Sequence, residues 1–178
     1  MREAENARVF LLLLAARDLG EYLYAWGGET AEEGGFDCSG FVSEKLRLAA
    51  RAYPLLYDGQ RRTARGLFRY YYTHRGCREI REAGELRPGC IVFYRQPTAE
   101  IHHVAIHAMT VVDVALGGKV SPVGPVAFEA GGAGSKATSP RSALLSSAGV
   151  RLTATDYHGR GVEWVAVDPF TLLRGGAG

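Results

Sequence analysis

The feature that most constrains this chain is the order of its hydrophobic patterns. Helical periodicity occupies the first part, over residues 3–19 and again from Ser39 to Ala52. Short runs of β-branched and aromatic residues occupy the second: Cys90–Tyr94 (CIVFY), His103–Met109 (HVAIHAM) continuing to Val114, Val126–Ala130 (VAFEA), Gly149–Ala154 and Val162–Val167. Helices first and strands later argue for an α+β domain, with helices packed on an antiparallel sheet. At 178 residues, one hydrophobic core suffices. We therefore expect a single domain over residues 1–173 and a frayed tail at 174–178. The Gly- and Ser-rich stretch 131–148 reads as a loop inside that domain.

Finer features follow from local chemistry. The first helix should end at Gly20 as a C-cap. Residues 29–35 (ETAEEGG) should form a loop. A short helix is expected near Thr63–Tyr72, and Leu86–Gly89 should turn. The run Val9–Ala16 (VFLLLLAA) has the length of a signal-peptide core, but Glu3 and Glu5 precede it and Arg17-Asp18 follow without a cleavage site. We expect an ordinary buried helix, a protein made in the cytoplasm, and no membrane insertion, since a span needs about 20 apolar residues. The net charge of +2 is too small to argue for nucleic acid.

Three cysteines, Cys38, Cys77 and Cys90, stand far apart. Neither a structural zinc site nor a disulfide scaffold fits that spacing, and all three should be reduced thiols. Cys38 differs from the others in its surroundings. It follows a polar loop and opens an apolar helix, and the positive end of a helix favours a thiolate. Gly40 should leave space beside it. Cys38 could equally be a small buried apolar residue.

A reactive thiol needs a base, which is most often histidine. Of the five histidines, His102, His103 and His107 share one strand, where His103 and His107 face the same side. His74 and His158 sit in no patterned element. A metal is disfavoured because two such residues on a strand stand about 13 Å apart. A third polar group should orient the imidazole. Glu129, in the middle of an apolar run, is the candidate: a carboxylate there needs a partner, unless it faces outward from an edge strand.

Four blocks in order, Tyr24-Ala25-Trp26-Gly27-Gly28, FDCSGFV at 36–42, RPGCIVFY at 87–94 and IHHVAIHA at 101–108, resemble the landmarks of the NlpC/P60 cysteine peptidases. The segment Gln60–Ala64 is similar to the R-T-A stretch such proteins carry between the Cys and His blocks. The resemblance spans about residues 8–130. It implies a papain-like fold and hydrolysis of an amide bond in the stem peptide of bacterial peptidoglycan, such as D-γ-glutamyl to diamino acid, without a cofactor. It implies Cys38 as nucleophile, His103 as base and Glu129 as the third polar residue. It places Tyr24, Trp26, Asp37, Ser39 and His102 along the substrate, with Asp37 and Ser39 near the free amino end of the stem in some members. The sequence departs from the family where Cys90 follows Gly89 in place of aspartate, and where His102 stands in place of serine. Another acyl transfer, or an inactive stem-peptide binder in a phage tail, remains an alternative. Phage lysis, a tail, or secretion with an immunity partner would each bring the protein to the wall.

Overall fold

The computed structural model describes residues 2–97, 99–110, 114–116, 119–121, 125–132, 141, 148–154 and 161–173. Its centre is a six-stranded antiparallel sheet. In chain order the strands are β3 (Glu79–Ile80), β4 (Ile91–Arg95), β5 (Ile101–Thr110), β8 (Pro125–Gly131), β9 (Gly149–Ala154) and β10 (Glu163–Val167), arranged β3-β10-β4-β5-β8-β9. Helices α1 (Arg2–Ala16), α2 (Cys38–Ala50) and α3 (Ala64–Arg69) accompany it, so the fold is α+β and papain-like. Helix α2 lies against β5 and β8, α1 against α2, and α3 against β5. Among the described residues, no helix is long and apolar enough to cross a membrane.

Alternation along the strands explains why runs such as CIVFY are apolar throughout. Ile91, Phe93, Val104, Ile106, Phe128 and Val165 join the core shared with the helices. Val92, Tyr94, Ala105, Ala127 and Ala166 form a second cluster with Ile80, Leu86 and Cys90. Both faces are covered, so both must be apolar.

Helix α1 departs from the sequence reading. Its buried stripe is Ala4, Ala7, Arg8, Leu11 and Ala15, while Val9 and Leu13 are exposed. Arg8 is tolerated there because its guanidinium donates to Asp168 Oδ2 (2.5 Å) and to the Pro88 carbonyl (2.9 Å), and lies over the Phe170 ring. The helix stops at Ala16, before Gly20. Asp18 turns inward instead and pairs with Lys45 of α2, whose ammonium also lies near the faces of Phe36 and Phe41. Gly20 still adopts a positive φ of 73°, in the turn beyond the helix.

Residues 29–35 are not a plain loop. Glu29–Thr30 (β1) and Gly35–Phe36 (β2) form a small antiparallel hairpin around the 3-10 turn Ala31–Glu33. A second small hairpin, Val114–Leu116 (β6) with Lys119–Ser121 (β7), follows β5, and the stretch 111–113, over which β5 was expected to continue to Val114, lies outside the described residues. The helix expected near Thr63–Tyr72 is α3, capped by the Thr63 side chain and continued by a π-helical turn at Tyr70–His74. The alternating register of β3 was too short to read from sequence. Most of 131–148, His158 and the tail 174–178 lie outside the described residues.

The start of α2 is seated by contact between two glycines. The Asp37 amide donates to the Gly28 carbonyl (2.9 Å), and a Cβ on Gly40 would run into that same carbonyl. The space at Gly40 is therefore filled by backbone and is not left beside the thiol. Gly40→Ala should force the hairpin away from α2 and cost about 1–3 kcal/mol, the usual range for overpacking. Thermal unfolding checks this; an unchanged melting temperature would contradict the close approach.

Candidate active site

Cys38 is the first residue of α2, as its place in the sequence suggested. Asp37 caps the helix: its Oδ1 accepts from the Gly40 amide at 2.6 Å. That side-chain bond satisfies one of the first-turn donors, and the Phe41 amide, bonded to the Asp37 carbonyl, begins the helical ladder. Cys38 is 9 % exposed, so its thiol is recessed yet at the rim of the core.

His103 lies near the start of β5, beside an irregularity. Tyr94 pairs with His103 and Arg95 with Ile101, so β5 carries one extra residue at His102. Such a bulge bends a strand and re-aims its neighbours. His102 is exposed at the bulge, while the regular register before it pairs His103 with Tyr94, their ring centroids 5.5 Å apart. His103 Nε2 donates to Glu129 Oε2 at 2.8 Å. Its ring is also hydrogen-bonded with Cys38. Burial is the largest influence on its titration and disfavours charge. The bonds to Cys38 and Glu129, with their charges, outweigh it and push the pKa up to about 10.

Glu129 does not face outward. Strand β8 runs between β5 and β9, and the side chain is 1 % exposed. Its second oxygen, Oε1, accepts from Arg151 Nε (3.0 Å) and Thr153 Oγ (2.9 Å), with Arg151 Nη2 at 2.9 Å. Arg151 lies directly across from Glu129 in the β8–β9 register. The sequence reading missed Arg151 and Thr153. The signal was present: a carboxylate in an apolar strand requires a cation, and Arg151 and Thr153 alternate on one face of GVRLTA.

Tyr24 is buried close to the nucleophile. Burial first, then the charges of Cys38 and Asp37, push its hydroxyl pKa upward, so it stays protonated. Its ring packs on the backbone at Gly132. Trp26, by contrast, is 74 % exposed. Asp37 and Ser39, expected along the substrate, are bonded to each other and to Arg61. Ser39 Oγ donates to Asp37 Oδ1 (2.9 Å). Arg61 Nη2 donates to both Asp37 oxygens (3.1 and 3.0 Å), and Arg61 Nη1 to Ser39 Oγ (2.9 Å). Glu29 pairs with Arg61 from the other side at 3.0 Å. Arg61 entered the sequence reading only as part of the R-T-A stretch.

The remaining candidates stand apart. His107 is fully buried; desolvation lowers its pKa to about 4 against an opposing bond with the Val126 backbone, so it stays neutral. Burial raises the Cys77 pKa despite a bond from Thr171, and takes that of Cys90 to about 11. Among the described residues, no group of three His, Cys, Asp or Glu is placed to hold a metal.

The arrangement joins a thiol at a helix start, an imidazole and a buried carboxylate in one hydrogen-bonded series. No curated protein sequence matches the chain. The sequence model of the NlpC/P60 family matches residues 20–121, a stretch that contains Cys38 and His103 and stops short of Glu129. The chain belongs to the NlpC/P60 family, a peptidoglycan-related hydrolase family whose members are generally cysteine peptidases or amidases.

Proposed function

We propose that this protein hydrolyses an amide bond in the stem peptide of bacterial peptidoglycan, D-γ-glutamyl to diamino acid being the favoured bond. The observation that carries the reading is the continuous series Cys38–His103–Glu129, assembled from α2, β5 and β8. Family membership supports the substrate class.

With Nε2 bonded to Glu129, His103 has Nδ1 left for Cys38. The Cys38 thiolate attacks the amide carbonyl, forming the S–C bond. Backbone amides in the first turn of α2 help stabilise the oxyanion. His103 gives its proton to the departing amine as the C–N bond breaks. It then takes a proton from water, which attacks the thioester and releases the carboxylate product and the thiol. Glu129 holds the ring orientation and stabilises the imidazolium through both steps.

Purified sacculi, digested with wild type and Cys38→Ala and read by mass spectrometry, test the reading. Fragments should appear only with wild type, and their new ends identify the bond. Equal release by both proteins would rule the mechanism out. Cys77→Ser and Cys90→Ser should keep activity, since both thiols are buried away from the histidine.

His103→Ala should lower kcat by about 10²–10⁴-fold, the range for a lost general base, and Glu129→Gln by less. A raised histidine pKa also fixes a sign. The imidazolium persists through neutral pH and is lost as pH rises through about 10. Activity that depends on the charged ring should fall across that alkaline range. Glu129→Gln should move the limb to lower pH, because a partner that favours the charge is gone. An NMR titration of the His103 ring reads this directly, and a wild-type midpoint near an ordinary 6.5 would contradict it.

A further inference from the structure

We propose that Arg151 is a positioning residue that keeps the buried Glu129 carboxylate ionised and oriented toward His103, so that nucleophile reactivity depends on a cation two strands away. The inference rests on the acyl-transfer reading of Cys38 and His103. Its own basis is the geometry around Glu129.

Among the described residues, partners approach this carboxylate from both neighbouring strands. His103 approaches one oxygen from β5, with Cys38 of α2 behind it. Arg151 and Thr153 approach the other from β9. Within β8 itself the flanking residues Phe128 and Ala130 are apolar. A carboxylate at 1 % exposure takes a proton unless charge or hydrogen bonds compensate its lost hydration. A protonated Glu129 would no longer favour the imidazolium. His103 cannot serve as the permanent counter-ion, because its proton leaves during the reaction. Arg151 keeps its charge throughout.

The backbone makes room for this cation. A Cβ on Gly131 would stand 2.5 Å from Arg151 Nη2 and 2.7 Å from its Cζ. Gly131 therefore leaves the guanidinium space to lie flat beside Glu129. Arg151 is about one-third exposed, so its charge is supplied from the sheet surface while the acceptor stays buried.

The test uses full-length protein carrying Cys77→Ser and Cys90→Ser, and follows alkylation of Cys38 by iodoacetamide against pH. This readout does not depend on which bond is cut, so failure of the substrate reading and failure of this proposal are distinguishable. In Arg151→Gln the acid limb of the alkylation profile should move up by about one unit, the lower end of the effect of a nearby opposite charge. Arg151→Lys retains the charge and should leave the limb in place. Gly131→Ala should displace the guanidinium and move the limb in the same direction by less. Adding Gly131→Ala to Arg151→Gln should then produce no further shift, since both changes act through one contact. On sacculi, the acid limb of kcat in Arg151→Gln should move up by the same one unit, so that kcat falls about tenfold on the acid side of the limb, with KM within about twofold.

An unchanged profile in folded Arg151→Gln overturns the proposal. So does a rise in KM at constant kcat, which would make Arg151 a substrate contact. If Arg151→Gln does not fold, Gly131→Ala and Arg151→Lys decide alone: a shift in the first without one in the second supports the proposal, and any other pattern overturns it.

Discussion

A carboxylate buried within a β-sheet is the interaction on which the rest of this site depends. Removing Glu129 from water is unfavourable by several kcal/mol unless charges and hydrogen bonds replace its hydration. The sheet supplies them from both neighbours: an imidazole from β5, and a guanidinium and a hydroxyl from β9. Each oxygen is thereby assigned to one side. The carboxylate cannot rotate without breaking both sets, so the imidazole it holds has one orientation.

The nucleophile is fixed by different means. Asp37 caps α2 and also binds Arg61, which reaches Ser39 and Glu29. These residues tie the loop before the helix, the β1–β2 hairpin and the segment before α3 to one another. Asp37 and Ser39 are thus part of the frame that holds the thiol, whatever they later offer a substrate. Two carboxylates share one guanidinium there, leaving the cluster with one excess negative charge. The Gly28–Gly40 approach then presses the frame against the first turn of α2.

Much of this was legible in the sequence because it rests on local chemistry. A polar loop followed by Cys38 and an apolar helix marks a helix start, and an apolar run such as VAFEA marks a strand whose Glu129 needs a partner. Helices followed by strands gave the α+β class. What escaped the reading depends on pairing across distance. Arg8 sits in the buried stripe of α1 because Asp168, 160 residues away, receives it. Asp18 ends that helix early because Lys45 is within reach. Arg151 looked like an ordinary strand residue until the β8–β9 register placed it across from Glu129. The hairpin at 29–36 was hidden because two-residue strands carry no alternation to count.

Register is what turns these pairings into chemistry. Side chains alternate across a strand, so a slip of one residue in β8 would carry Glu129 to the opposite face and put Phe128 or Ala130 beside His103. The apolar residues oppose that slip. Phe128 and Ala130 belong to the core shared with the helices, and Ala127 to the second apolar cluster, with Val92 and Tyr94. The same argument applies at His103, which stays in regular register with Tyr94, the extra residue at His102 shifting the phase of β5 only beyond it. Without the bulge, Arg95 would pair with His102 in place of Ile101, while Tyr94 would keep His103. The packing that stabilises the sheet therefore selects the register in which the thiol, the imidazole, the carboxylate and the guanidinium meet, and the catalytic geometry is held in place by apolar side chains that take no part in the chemistry.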